Sequence, residues 1–203
     1  MLSSISPLGE RARNQRWWIT VAAYATGSTL GGVGLGTALG VVGRPLATRL
    51  DRAALLVVAA VAIVGVLADR GAFGLRVPGP RRQVDEDWLA RYRGWVYGGG
   101  FGIQLGVGFA TIVSTSLTWV AFTCAAFSGS GATGALVGGA FGLTRSLPIL
   151  VTARVRTWAE LRVVLARITG SLATIQRITT VAHVGAIVAA ISILATDGLG
   201  VAR

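Results

Sequence analysis

Long apolar runs separated by short arginine-bearing segments form the main hydrophobic pattern of this chain. An apolar run of about 20 residues crosses roughly 30 Å of hydrocarbon as a helix. The pattern predicts five spans, at about 17–42, 53–68, 95–119, 131–152 and 178–196. The polar segments 69–94 and 153–176 are expected to lie at the membrane surface, each with an amphipathic helix. The chain is therefore predicted to be one integral membrane domain, residues 1–203, with an all-α bundle fold.

Composition agrees with a membrane location. The chain is 53% hydrophobic and 13% charged, whereas soluble domains carry roughly 25% charged residues. The net charge is +11 and every basic residue is an arginine. These arginines flank the apolar runs, as expected of membrane proteins, and form no free basic face for nucleic acid. We therefore expect the lipid bilayer as a partner and no nucleic acid.

The distribution of arginine predicts an orientation in the cell membrane. With a cytoplasmic N-terminus, the inside segments 1–16, 69–94 and 153–176 hold 13 arginines and the outside segments hold four. The positive-inside rule favours this arrangement, although the linker 43–52 would place three arginines outside. Residues 1–16 have the charge pattern of a signal-anchor, and we expect them to be retained because the next apolar run is too long for a signal peptide.

Three runs of glycine at four-residue spacing predict close helix packing. Glycines four apart share one helix face and let two backbones approach, which is how membrane helices commonly associate. The three glycine ladders are Gly32, Gly36 and Gly40; Gly98, Gly102 and Gly106; and Gly134, Gly138 and Gly142. The apolar run that holds the second ladder continues to Phe127. It is longer than a membrane is thick, so a tilt, a break or a projection remains open.

Arg145 is the main candidate for ligand binding. A charge within hydrocarbon is costly and is usually paired, cavity-facing or functional, and Thr144, Ser146 and Pro148 lie beside this one. One interpretation is a site for an anion or carboxylate. The alternative is that the fourth span starts near residue 126 and Arg145 reaches the cytoplasmic interface, with its charge in water.

Polar residues in the third run extend the candidate site. Gln104, Thr111 and Ser114 could line a pathway, or the glutamine and the hydroxyl groups could bond between helices and to preceding carbonyl groups. His183, within the fifth span, is either part of a proton relay or a histidine hydrogen-bonded to one neighbouring helix.

The chain lacks the residue patterns of common enzymes and metal sites. Cys124 is the only cysteine and His183 the only histidine, and there is no lysine. No phosphate-binding loop, serine-nucleophile or zinc-protease motif occurs. We therefore expect no enzymatic activity, no metal and no cofactor.

Two short motifs recur in order and indicate a degenerate internal repeat, with chance as the alternative in so glycine-rich a chain. GVGLGT at 32–37 matches GVGFAT at 106–111, and GAFGL at 71–75 recurs at 139–143. With the glycine-rich first span and the proline-bearing fourth, this pattern resembles the DsbD/CcdA-type membrane proteins. The resemblance implies two related halves. That family moves electrons through a cysteine in each half, so with Cys124 alone thiol electron transfer is not expected.

Two functions remain open. The first is a small permease-like transporter of an unidentified, anionic solute, with a pathway between the first, third and fourth spans. The alternative is a non-catalytic membrane subunit or assembly factor that docks a partner protein or anionic lipid. The absence of acidic residues from the predicted spans favours the alternative, because many proton-coupled carriers use them. A homo-oligomer is compatible with both.

Overall fold

The computed structural model describes residues 5–79, 87–108, 113 and 115–200, and all regular structure in these ranges is helical. The α-helices are α1 Pro7–Ala12, α2 Trp17–Val42, α3 Arg44–Leu50, α4 Ala53–Asp69, α5 Trp88–Arg91, α6 Gly94–Gly106, α7 Leu117–Phe127, α8 Gly131–Ser146, α9 Trp158–Gly170 and α10 Leu172–Gly200. Short 3-10 turns lie at Ala72–Gly74 and Leu147–Thr152. The prediction of an all-α transmembrane bundle is confirmed.

α2 forms the centre of the bundle, between α6 and α8, and the glycine ladders lie at both contacts. A methyl group added to Gly102 would overlap the carbonyl oxygen of Tyr24, and one added to Gly36 would overlap that of Gly134. All nine ladder glycines face the backbone of a neighbouring helix in this way: Gly32, Gly36, Gly40, Gly98, Gly102, Gly106, Gly134, Gly138 and Gly142. Only glycine permits such an approach.

The order of these contacts gives the helix directions. Gly98 and Gly106 meet Thr20 and Ser28 in turn, so α6 runs parallel to α2. Along α8 the order is reversed, because Gly142 meets Ser28 while Gly134 meets Gly36. α8 is therefore antiparallel to α2. Since α2 and α6 point the same way, the chain must return across the bundle between them, and α4 provides that return.

Three helices in the described part of the chain are long and apolar enough to cross a membrane: Trp17–Val42, Gly131–Thr152 and Leu172–Ala195. α3 and α4, which meet at an angle of 105°, qualify as a fourth span when taken together. Large aliphatic side chains such as Leu56, Val64 and Val181 are exposed along the outside. That exposure is expected where the surrounding solvent is lipid.

The third predicted span, 95–119, is not a single helix. α6 ends at Gly106, Gly108 has a positive φ of 75°, and α7 begins only at Leu117. Each of these two helices is about 20 Å long or less at 1.5 Å per residue, which is shorter than the hydrocarbon layer. Of the three alternatives left open for this apolar run, the described residues support a break.

Several boundaries also differ from the prediction. The linker 43–52 contains α3, and α10 begins at Leu172 rather than near residue 178. α9 lies within the predicted surface segment 153–176, where Glu160 and the Thr157 hydroxyl cap its first turn. The surface helix predicted in 69–94 is reduced to the single turn α5 in the described residues, and Asp85 and Glu86 lie outside them.

The two GAFGL copies have different conformations. At 71–75 the motif is a 3-10 turn with positive φ at Gly71, Phe73 and Gly74, and the Phe73 side chain is 90% exposed. At 139–143 it is regular helix inside α8. This pair of matches therefore does not correspond to a repeated structural element.

Candidate functional site

Arg145 lies near the C-terminal end of α8 and is half-buried. Its Nη1 donates a hydrogen bond of 3.3 Å to the carbonyl oxygen of Gly108, just beyond the end of α6. Its guanidinium carbon lies 5.3 Å from the centre of the Phe141 ring. Gly108 lies outside the regular helix, where a backbone carbonyl group has no helical hydrogen-bond donor. Arg145 therefore provides a charged donor to a backbone carbonyl group where the third apolar run breaks.

Arg145 also lines a cleft of about 430 Å³ between α7, α8 and α10. We call it the α7–α8–α10 cleft. Its polar lining residues are Thr115, Thr118, Thr144 and Arg145. Of the predicted ligand-binding residues, the structure thus brings Thr144 and Arg145 together here.

The other predicted ligand-binding residues lie elsewhere. Ser146 is buried and donates to the carbonyl oxygen of Leu143 at 2.7 Å. Gln104 is half-buried on α6, is not among the residues lining this cleft and makes no side-chain hydrogen bond to another described residue. Thr111 and Ser114 lie outside the described residues.

A buried polar group, which we call the His183 cluster, connects α4, α7 and α10. Ser116 Oγ lies 2.8 Å from His183 Nε2, and His183 Nδ1 lies 2.7 Å from the carbonyl oxygen of Thr179. The carbonyl can only accept, so Nδ1 carries the proton and a neutral ring accepts from the serine. Asp69 accepts from the Thr115 hydroxyl and the Ser116 backbone N–H at 2.8 and 2.9 Å. His183 is completely buried. Both ring nitrogens thus have a hydrogen-bond partner. This geometry supports a structural role for His183 over a proton relay.

A second buried group, the Glu10 cluster, was not found from the sequence. The Glu10 carboxylate is fully buried and accepts from Thr20 at 2.7 Å, from Arg13 at 2.6 Å and from the Tyr97 hydroxyl. Partial burial lowers the pKa of Arg13, but the hydrogen bond to Glu10 and the neighbouring charges raise it to a net value above its ordinary one. The cluster attaches α1 to the ends of α2 and α6.

The signal for this cluster lay in residues 1–16, whose charge pattern predicted only a retained signal-anchor. Ser6 and Pro7 form a helix start, with the Ser6 hydroxyl accepting from the Gly9 N–H at 3.2 Å. Glu10 and Arg13 then have the spacing of an ion pair on one helix face. The contact with Tyr97 had no sequence signal, because 87 positions separate the two residues.

A small cavity lies between α2, α6, α7 and α8 in the described part of the chain. The cavity there measures about 10 Å³ and is lined by Gly36, Gly106, Phe122, Gly138 and Phe141 among others. A single water needs about this volume or slightly more. Among the described residues, backbone and aromatic rings thus line this small cavity, while Thr111 and Ser114, which the permease hypothesis placed in its pathway, lie outside the described residues.

The fold and these sites define the class of the protein: a small polytopic membrane bundle with a glycine-packed centre and buried polar clusters. No family model matches the chain, and no solved structure matches it. The chain does match several curated proteins. The chain is 34% identical over 159 residues to the methylamine utilization protein MauF of Paracoccus versutus, covering 74% of this chain and 56% of that protein.

Further relatives have the same name. The MauF protein of Paracoccus denitrificans is 35% identical over 175 residues, which is 77% of this chain and 60% of the relative. That of Methylobacillus flagellatus is 33% identical over 154 residues, 74% of this chain and 54% of the relative. The chain thus spans little more than half the length of the curated relatives it matches.

These relatives overturn the resemblance to DsbD/CcdA-type proteins, which is wrong. The similar proteins are named MauF. Glycine-rich spans, a proline in a later span and a length near 200 residues are general properties of compact membrane bundles. They carry no information about ancestry.

Proposed function

We propose that this chain is a membrane-embedded accessory protein of methylamine utilization, which acts by binding a partner protein and neither catalyses a reaction nor carries a solute. The observation that carries the proposal is the similarity to MauF proteins over about three quarters of the chain. The name of these relatives gives the process, methylamine utilization.

The close packing of α2 against α6 and α8 supports a docking role over a transport role. α2 is in backbone contact with α6 through one set of glycines and with α8 through another. Packed backbones do not separate without losing many contacts together. Gln104 and Arg145, which the permease hypothesis assigned to one pathway, do not line a common cavity among the described residues.

The outer surface offers the area that docking needs. In the most apolar stretch of α10 only 11% of the residues are buried, against 28% in α2 and 28% in α8 with the 3-10 turn that follows it. Val181, Val184, Val188 and Ile191 are exposed along it. In a membrane such a face meets either lipid or the helix of another protein. We propose that α10 contributes to the partner surface.

The location belongs to the same proposal. The chain lies in the cell membrane with its N-terminus in the cytoplasm, in accordance with the distribution of arginine. A reporter active only in the cytoplasm, fused before residue 1, is expected to be active. A reporter active only outside the cytoplasm should be silent at that position.

A deletion strain of the natural host tests the function. We expect loss of growth with methylamine as the nitrogen source, normal growth with ammonium, and restoration of growth with methylamine by the wild-type gene. Initial uptake of radiolabelled methylamine should be unchanged in the deletion strain. Unchanged growth would contradict the link to methylamine, and lost uptake would contradict the docking role in favour of transport.

A further inference from the structure

The α7–α8–α10 cleft has a polar end and an apolar end. α7 and α8 are antiparallel neighbours, joined by the turn at 128–130, and the rings of Phe122 and Phe141 meet at 5.7 Å. One helical turn from this contact, Thr118 on α7 and Arg145 on α8 therefore lie at the same end. Beyond the phenylalanines, Val137 lines the wall towards the other end.

Small side chains provide the room in this cleft. Alanine lines it from each of the three helices, at Ala121, Ala140, Ala182 and Ala186. α10 packs mainly on α4 and touches α7 only slightly, so its alanines stand away from α8. The resulting volume of about 430 Å³ falls within the ~300–1,000 Å³ typical of ligand sites.

We propose that this cleft binds one anionic phospholipid, with the phosphate at Arg145 and an acyl chain along the alanine-lined walls. A guanidinium gives charge-assisted hydrogen bonds to phosphate, and the hydroxyl group of Thr118 lies at the same end, whereas that of Thr144 donates to the carbonyl oxygen of Ala140 at 2.8 Å. The apolar remainder of the cleft suits a hydrocarbon chain and would be poorly filled by a small hydrophilic anion. The proposal does not depend on the role in methylamine utilization.

Charge complementarity favours a lipid that carries negative charge. The chain has a net charge of +11, and anionic headgroups are attracted to basic surfaces of membrane proteins. The acyl chain would occupy the gap between α8 and α10, two helices that otherwise share few contacts. A bound lipid would thus stabilise the position of α10.

Native mass spectrometry of the full chain in detergent tests the proposal, with phosphatidylglycerol and zwitterionic phosphatidylethanolamine added in equal amounts. We expect one retained phosphatidylglycerol and little phosphatidylethanolamine. Arg145→Gln should reduce phosphatidylglycerol retention about tenfold, the loss expected from one charge-assisted contact. Arg162→Gln, which removes an exposed arginine of α9 outside the cleft, should leave retention unchanged.

The apolar end of the α7–α8–α10 cleft is tested by a substitution that fills it with a large side chain. Ala186→Phe, which leaves the contact between Arg145 and Gly108 in place, should also reduce retention about tenfold. Leu136→Phe on the exposed face of α8, where the leucine is 75% exposed, is the matched control and should have no effect. Helical content and elution volume show which variants are folded. If Arg145→Gln does not fold, the result for Ala186→Phe decides whether the lipid binds in this cleft.

Three results would overturn the proposal. Equal retention of both lipids would remove the preference for negative charge. Unchanged retention in folded Ala186→Phe would place the lipid elsewhere. Displacement of the lipid by millimolar inorganic phosphate, with a phosphate adduct in its place, would make Arg145 a site for a free anion.

Discussion

The centre of the bundle and its outer helix pair are held together by different means. α2 meets α6 and α8 through glycines whose neighbours are backbone atoms, over about five helical turns. α10 packs on α4 alone among the long helices and is hydrogen-bonded to the start of α7 through the His183 cluster, with most of its surface exposed. Backbone contacts on two sides fix the position of α2 more firmly than side-chain packing on one side fixes that of α10. The comparison places rigidity in the centre and adaptability at α10, which is where we propose that partner and lipid bind.

The largest expected effect comes from adding one methyl group to the centre. Gly36→Ala places a Cβ against the carbonyl oxygen of Gly134, so α2 and α8 must separate. We expect a loss of about 3 kcal/mol in the free energy of unfolding, the upper range for overpacking. Gly34→Ala on the same helix is the matched control, because its Cβ would meet nothing within 4 Å. Denaturant titration in mixed micelles measures both, and equal stability of the two variants would contradict the packing described here.

Removal of the buried carboxylate comes next. Glu10→Ala leaves Thr20 and Tyr97 without their acceptor and Arg13 without its ion-pair partner. We expect a loss of about 2 to 3 kcal/mol, in the range for orphaned buried polar groups. Accelerated proteolysis within the first 16 residues would show that α1 has detached. Wild-type resistance there would mean that the cluster does not hold α1.

A smaller and more local effect is expected at α10. His183→Ala removes the hydrogen-bond partner of the Ser116 hydroxyl group and should cost about 1 to 2 kcal/mol. Hydrogen–deuterium exchange should increase along α10 while α2 keeps its protection, because the two regions are held separately. Equal loss of protection in both helices would show that centre and periphery form one cooperative unit.

The smallest effect concerns the start of α9, outside the membrane. The backbone N–H of Arg156 donates to Glu160 at 2.7 Å, which lowers the pKa of Glu160 below its ordinary value. Because this pKa is lower in the folded helix than in the unfolded chain, the ionised Glu160 stabilises the helix at pH values above the unfolded-state pKa. This stabilisation is lost as the pH falls through the folded-state pKa. Amide NMR signals of the first turn of α9 should therefore shift below about pH 4, and should be independent of pH in this range in Glu160→Gln.

How well the sequence predicts a feature of this structure depends on how far apart along the chain the interacting residues lie. Four-residue spacing is a local property, so the ladder of Gly134, Gly138 and Gly142 could be assigned to one helix face without knowing its neighbour. The break after Gly106 could not be located, because hydrophobicity continues through it and only the positive φ at Gly108 marks it. Arg145 could be identified as unusual, but its partner, the Gly108 carbonyl group, lies 37 positions away in the sequence, beyond the end of α6.

The Glu10 cluster shows the same limit more clearly. The charge pattern of residues 1–16 predicted only a retained signal-anchor and gave no role to Glu10. Burial of Glu10 depends on a hydroxyl of α6 that lies far away in the sequence. Information of that kind is not contained in any local pattern.

A flux measurement tests the central claim, that the glycine-packed centre is closed and the chain acts by docking. The purified chain would be reconstituted into vesicles and the entry of radiolabelled methylammonium followed at pH 6, where the amine is protonated. We predict the same rate as in protein-free vesicles. A saturable rate above that background, lost in Gly36→Ala and retained in Gly34→Ala, would contradict the account and make the centre a pathway.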